Sequence, residues 1–112
     1  MSRVFVIQDH LMSDKKGNLV SKFDFTPAEK FGEVVFLLSP SASPFNPDEV
    51  LDELHEALED FSSDDFLLLS GNPALIGWAT AIAAHYNDGN VKLLQWSGVK
   101  RDYAVIESLD II

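Results

Sequence analysis

The hydrophobic residues of this chain follow two rhythms. Short runs at residues 3–7, 33–38 and 66–69 are apolar at nearly every position. Such runs predict strands buried on both faces, as in a parallel sheet covered by helices. A fourth strand is expected at 91–96 and a fifth at 103–106. The hairpin-like Ser97-Gly98-Val99-Lys100-Arg101-Asp102 joins them and makes the last strand antiparallel. The second rhythm is helical. Val50, Leu51, Leu54, Ala57, Leu58 and Phe61 recur along one stripe, with acids on the opposite one. They predict an amphipathic helix outside the sheet, ending near Ser62-Ser63.

The helix expected from Ala74 to about Tyr86 differs from the first. Leu75, Ile76, Trp78, Ala79, Ala81, Ile82, Ala83 and Ala84 cover nearly its whole circumference, with no charge until after Tyr86. A helix apolar all round is normally buried. A second copy of the chain is one way to cover its outer face, so the expectation is a homo-oligomer with Leu75, Trp78 and Ile82 at the interface.

Residues 8–32 are the least regular. Asp14-Lys15-Lys16-Gly17-Asn18 is a turn signal. Leu19 to Phe25 fits a short strand with Leu19, Ser21, Phe23 and Phe25 on one face. Thr26-Pro27-Ala28-Glu29 fits a helix start with Thr26 as cap, and Gly32 ends that turn after Phe31. The segment suits a lid, a hairpin or an oligomerisation arm.

The strand–helix alternation predicts an α/β fold. The expected architecture is a single compact Rossmann-like domain over residues 1–112. It has a mostly parallel sheet of about four or five strands, an antiparallel C-terminal edge strand and two main helices. Two of its junctions share a plan. The run ending at Ser39 is followed by a Pro- and Ser-rich loop to Asn46-Pro47. The run ending at Ser70 is followed by Gly71-Asn72-Pro73. Asn before Pro is a helix start, with Asn46 and Asn72 as caps and Glu49 closing a capping box on the first. Helix N-termini beside strand C-terminal ends are where α/β folds tend to hold ligands. Ser39, Ser70, Gly71 and Asn72 are therefore the candidate ligand residues, with Ser41 and Ser43 in the same crevice. A phosphate or nucleotide is the chemistry they suit, although neither a P-loop nor a Gly-x-Gly-x-x-Gly run is present.

Composition narrows the rest. With no cysteine, thiol catalysis, disulfides and thiolate metal sites are excluded. No apolar run approaches the roughly 18 residues of a membrane span, and the opening run is too short for a signal peptide. The expectation is a cytoplasmic protein with no cofactor, no metal and no membrane partner. The net charge of −10 disfavours binding to a nucleic-acid backbone. Nine of the 18 acids fall in residues 48–65, where there is no Lys or Arg. Asp52, Glu53, Glu56, Glu59 and Asp60 there form a solvated helix face, or a surface that imitates nucleic acid or docks on a basic partner protein. Lys92, Lys100 and Arg101 make a small basic group that could meet that face on a neighbouring subunit.

Three further groups carry possible chemistry. Asp9 and His10 follow the first strand and, with a serine, would suit a hydrolase if the fold brought them together. His55 lies among acids without the spacing of a metal site, and His85 sits at a helix C-terminus, where its charged form is favoured. Trp78, Trp96 and Tyr103 have faces that can stack on a base or sugar, although such aromatics more often serve a core or interface.

The blocks Phe36-Leu37-Leu38-Ser39-Pro40-Ser41-Ala42-Ser43-Pro44-Phe45, Leu67-Leu68-Leu69-Ser70-Gly71-Asn72-Pro73, Ile76-Gly77-Trp78-Ala79 and Leu93-Leu94-Gln95-Trp96-Ser97-Gly98 resemble a family of small uncharacterised proteins of tailed bacteriophages. The resemblance spans residues 33–106. It implies expression inside an infected bacterium and carries no activity. A looser similarity is to Rossmann-like nucleotide-sensing domains, but the Gly-Gly-Thr-Lys turn of some of them is absent. The leading expectation is a non-enzymatic, homo-oligomeric protein-binding module acting on a basic host or phage protein through the acidic face. A ligand module at the Ser39/Ser70–Asn72 crevice is the alternative, and a hydrolase the weakest.

Overall fold

A computed structural model describes residues 2–112. Strand β1 (Arg3–Gln8) is followed by a separate hairpin, β2 (Leu11–Ser13) and β3 (Leu19–Ser21), closed by the expected Asp14–Asn18 turn. A six-residue 3-10 helix (Thr26–Phe31) leads into β4 (Glu33–Leu38). Then come α1 (Pro47–Leu58), β5 (Phe66–Leu68), α2 (Pro73–Tyr86), β6 (Val91–Ser97) and β7 (Asp102–Ser108). The main sheet runs β4-β1-β5-β6-β7, parallel except for β7. β1 lies inside the sheet between β4 and β5, and Val4 through Ile7 are buried on both of its faces. This is the predicted α/β architecture.

The two faces are covered unequally. On one, α1 and α2 lie side by side, packing Val50, Leu54, Leu58, Leu75, Ala79 and Ile82 against Phe5, Ile7 and Leu67. Each fully buried leucine there contributes about 1.5–3 kcal/mol relative to exposure. On the other, Val4, Val6, Leu68, Leu94 and Tyr103 meet Phe25, Ala28 and Phe31, from the 3-10 helix and the irregular strap that follows β3, which ends at Ser21 and not at Phe25 as the pattern suggested. At about 2 Å of rise per residue that helix is short. It leaves the C-terminal ends of β5 and β6 partly open.

The position of α2 corrects one expectation. Leu75 and Ile82 are 0% and 6% exposed inside the subunit's own core, so neither is free to meet a second copy. Trp78 is half-buried against the same core. The outward positions are Ala74, Gly77, Ala81 and His85. The helix looks apolar all round because its exposed face carries small residues, not because two faces need covering.

Two caps also differ from the reading of the sequence. Asn72 caps α2 as expected, its Oδ1 accepting the Ala74 N–H at 2.9 Å. Asn46 makes no side-chain cap on α1, so the capping box with Glu49 does not form. Thr26 is not the cap of the 3-10 helix; its own N–H donates to Asp24 Oδ1 at 3.0 Å.

A buried ion pair fastens the start of β1. Asp65 is 1% exposed and sits just before β5. It accepts from Arg3 Nη2 at 2.9 Å, Arg3 Nε at 3.2 Å, and the backbone N–H groups of Arg3 and Ser62. Arg3 Nη1 also reaches Asp60 at 3.2 Å. Burial by itself would raise the Asp65 carboxyl, but the bonds from Arg3 and Ser62 outweigh it and hold its pKa below the usual carboxylate value. Among the described residues no helix is long and apolar enough to cross a membrane.

Candidate functional site

β1 and β5 are neighbours in the sheet, yet the chain leaves their C-terminal ends toward opposite edges. β1 leads to β4 on one side, and β5 leads to β6 on the other. Such a switch point opens a crevice where ligands of doubly wound folds bind. Here Gln8 fills it. Its Nε2 donates to the carbonyls of Ala42, Ser39 and Pro40 at 2.9, 3.2 and 3.3 Å. Its Oε1 accepts the Asn72 N–H at 3.1 Å, and its own N–H donates to Ser70 O at 3.0 Å. One side-chain amide thus stitches together the two Ser/Asn-Pro junctions.

Gln8 also accounts for Gly71. A Cβ on residue 71 would lie 2.6 Å from Gln8 Cβ, and the backbone φ there is +119°. Both observations require glycine. Gly71→Ala should therefore destabilise the fold by about 2 kcal/mol, seen as a lower midpoint in urea. A midpoint equal to that of the parent protein would show that Gln8 yields freely.

The predicted serine crevice is divided by this plug. Ser41, Gly71 and Asn72 border a shallow depression with Gln8, Asp9 and His10. Ser39 Oγ is exposed and hydrogen-bonded to Ser41 Oγ at 2.9 Å, and the Ser43 hydroxyl accepts the Phe45 N–H. Asn72 Oδ1 is committed to its cap, and Pro73 has no N–H to offer. The α2 N-terminus is therefore a closed structural cap, with little left for an anion.

Ser70 lies on the other side of the plug. It lines a cleft of about 550 Å³ on the thinly covered face of the sheet. The size falls within the range of small-molecule pockets. Leu68 forms its floor, and Trp96 and Tyr103, opposite each other on β6 and β7, form a wall with ring centres 5.1 Å apart. Phe23 and Phe25 close it from the strap between β3 and the 3-10 helix. The Ser70 Oγ is buried and has no hydrogen-bond partner, while the residue is 8% exposed. An unpaired buried hydroxyl costs stability, so this one gains from any partner that reaches it.

The rim carries charge. Lys22 Nζ lies 5.4 Å from the Phe23 ring centre, and the His10 ring meets the same phenyl edge-on at 5.9 Å. Hydrogen bonding from Thr26 keeps the Asp24 carboxyl below its ordinary pKa and charged. Burial, reinforced by Asp24, pushes the Tyr103 phenol up, so it stays a neutral donor.

Other candidate residues are placed elsewhere. Asp9 Oδ2 accepts from Ser21 Oγ rather than orienting His10, and no base reaches Ser70 Oγ, so the hydrolase grouping is not assembled. Asp52, Glu53, Glu56 and Glu59 form the exposed outer face of α1, and Asp60 is engaged by Arg3. His55 Nδ1 shares a 2.8 Å hydrogen bond with Tyr86 OH, and His85 packs beside Tyr86, so these three join α1 to α2. No group of side chains suited to a metal occurs among the described residues. Trp78 faces the helical core, whereas Trp96 and Tyr103, the other two aromatics of the stacking set, meet in the cleft.

The sequence pattern of the Phage Pam3 gp32-like proteins matches residues 2–109. The chain belongs to that family. The match extends the phage resemblance of residues 33–106 through the N-terminal hairpin and the strap, the segments that supply His10, Lys22, Phe23 and Phe25 to the cleft. No curated protein matches the chain, and no solved structure does.

Proposed function

We propose that this phage protein is a non-enzymatic binding protein that holds a small planar ligand in the aromatic cleft. The observation that carries the reading is the unpartnered Ser70 hydroxyl beneath the Trp96–Tyr103 wall. Large aromatic side chains left half-exposed beside a buried polar group are poorly explained by folding stability. Trp96 is 48% exposed and Phe23 is 46% exposed. A flat guest would cover both rings and give Ser70 a partner. The acidic face of α1 has less behind it, because an outward acidic stripe on an amphipathic helix is what solvation alone produces.

Indole is a suitable probe. Titrated into 15N-labelled protein, it should shift the Trp96 indole N–H and the Ser70 and Gly71 amides saturably. Trp96→Ala should remove the response of those amides, and its exposed position should leave the fold intact. Shifts scattered over other surfaces, or none, would contradict the reading.

A further inference from the structure

We propose that the cleft takes a nucleoside monophosphate, with the base against Trp96 and Tyr103, the ribose at Asp24 and the phosphate at Lys22 and His10. The proposal rests on the ligand-binding reading above and names the chemistry of the guest.

The floor selects a heteroaromatic ring over a hydrocarbon. A hydroxyl can donate and accept, so Ser70 Oγ can pair with the edge of a base. An acyl chain would leave that hydroxyl unpaired, as it is without a guest. The wall suits the same ring. Bases stack on aromatic side chains, and a neutral Tyr103 phenol adds a second donor.

The rim selects the rest of the molecule. Lys22 and His10 both line the cleft and both pack on Phe23. Neither belongs to an ion pair among the described residues, where the paired cations are Arg3 and Lys30. Asp24 stands two residues away with one carboxylate oxygen held by Thr26, and carboxylates commonly bind ribose hydroxyls. The balance of charge sets the number of phosphates. Among the described residues Lys22 is the one lysine or arginine lining the cleft, and His10 adds a hydrogen-bonding ring, which suits a single phosphate. A triphosphate would add charge against a field of −10 and find no P-loop.

The test uses the whole protein and 15N NMR titrations with AMP, GMP, CMP and UMP, their nucleosides, ATP and indole. At least one monophosphate should shift the Trp96 indole N–H and the Ser70 amide. It should bind about tenfold tighter than its nucleoside and tighter than the triphosphate. Lys22→Ala should erase the margin over the nucleoside, and Trp96→Ala should weaken binding about tenfold or more. A nucleoside that binds as well as its monophosphate overturns the proposal, as does a Lys22→Ala variant that binds normally. If indole shifts the cleft and no nucleotide does, the nucleotide assignment falls and the ligand-binding reading stands. If neither shifts it, both fall.

Discussion

Gln8→Leu should lower stability by about 3 kcal/mol, a fall of roughly 10–15 °C in Tm for a domain of this size. Leucine matches glutamine in bulk, so no large cavity forms, and the loss is almost purely one of hydrogen bonds. The Asn72 N–H loses its acceptor at the start of α2. The carbonyls of Ser39, Pro40 and Ala42 lose their shared donor. Gln8 is 6% exposed, so water cannot replace the amide without opening the junction. Differential scanning calorimetry of the two proteins measures the effect. A Tm shift of no more than about 3 °C would mean that the junctions hold together without the plug.

Asp65→Ala should cost about 3–5 kcal/mol at neutral pH, because it breaks a buried, hydrogen-bonded ion pair from one side. Arg3 keeps Asp60, but the Arg3 and Ser62 amides lose their acceptor. The pH dependence has a definite sign. The folded Asp65 carboxyl lies below its ordinary value. Its contribution is therefore fully present above the unfolded pKa of about 3.9 and is lost as the pH falls through the folded one. Urea melts of the parent protein and the variant should differ most at pH 7 and converge as the pH falls through the folded Asp65 pKa. A gap that persists unchanged into acid would show that packing, not the carboxylate, carries the effect.

Much of this fold is legible in the sequence, for identifiable reasons. The strand runs at 3–7 and 66–69 are almost wholly apolar because α-helices cover one sheet face and the strap covers the other. The run at 33–38, expected to be buried on both faces, instead forms the edge strand β4, with Leu38 its one buried residue and Phe36 49% exposed. The acids of α1 mark its solvent side directly. What the sequence hides depends on distance along the chain. Gln8 meets partners 31 to 64 residues away, and no local pattern distinguishes it from an ordinary strand-end residue. The Ser39 and Ser70 junctions look equivalent, yet Gln8 separates them and only Ser70 reaches the cleft. Asn46 and Thr26 have capping residue types, but neither α1 nor the 3-10 helix receives a side-chain cap. The apolar girth of α2 suggests a second copy only while Ala74, Gly77 and Ala81 are counted as needing cover. Part of the cleft could be read in advance. The strand expected over Leu19 to Phe25 stops at Ser21, so Phe23 and Phe25 reach the cleft from an irregular strap, whereas Trp96 and Tyr103 flank a hairpin that sets them opposite each other.

The central claim is that the aromatic cleft is a ligand site. Native mass spectrometry of the protein isolated from bacteria tests it most directly, comparing the parent chain with Trp96→Ala under gentle and then denaturing conditions. The account predicts an added small-molecule mass on the parent protein that is released on denaturation and is missing from the variant. A parent protein with no added mass, or the same added mass on both proteins, would contradict it.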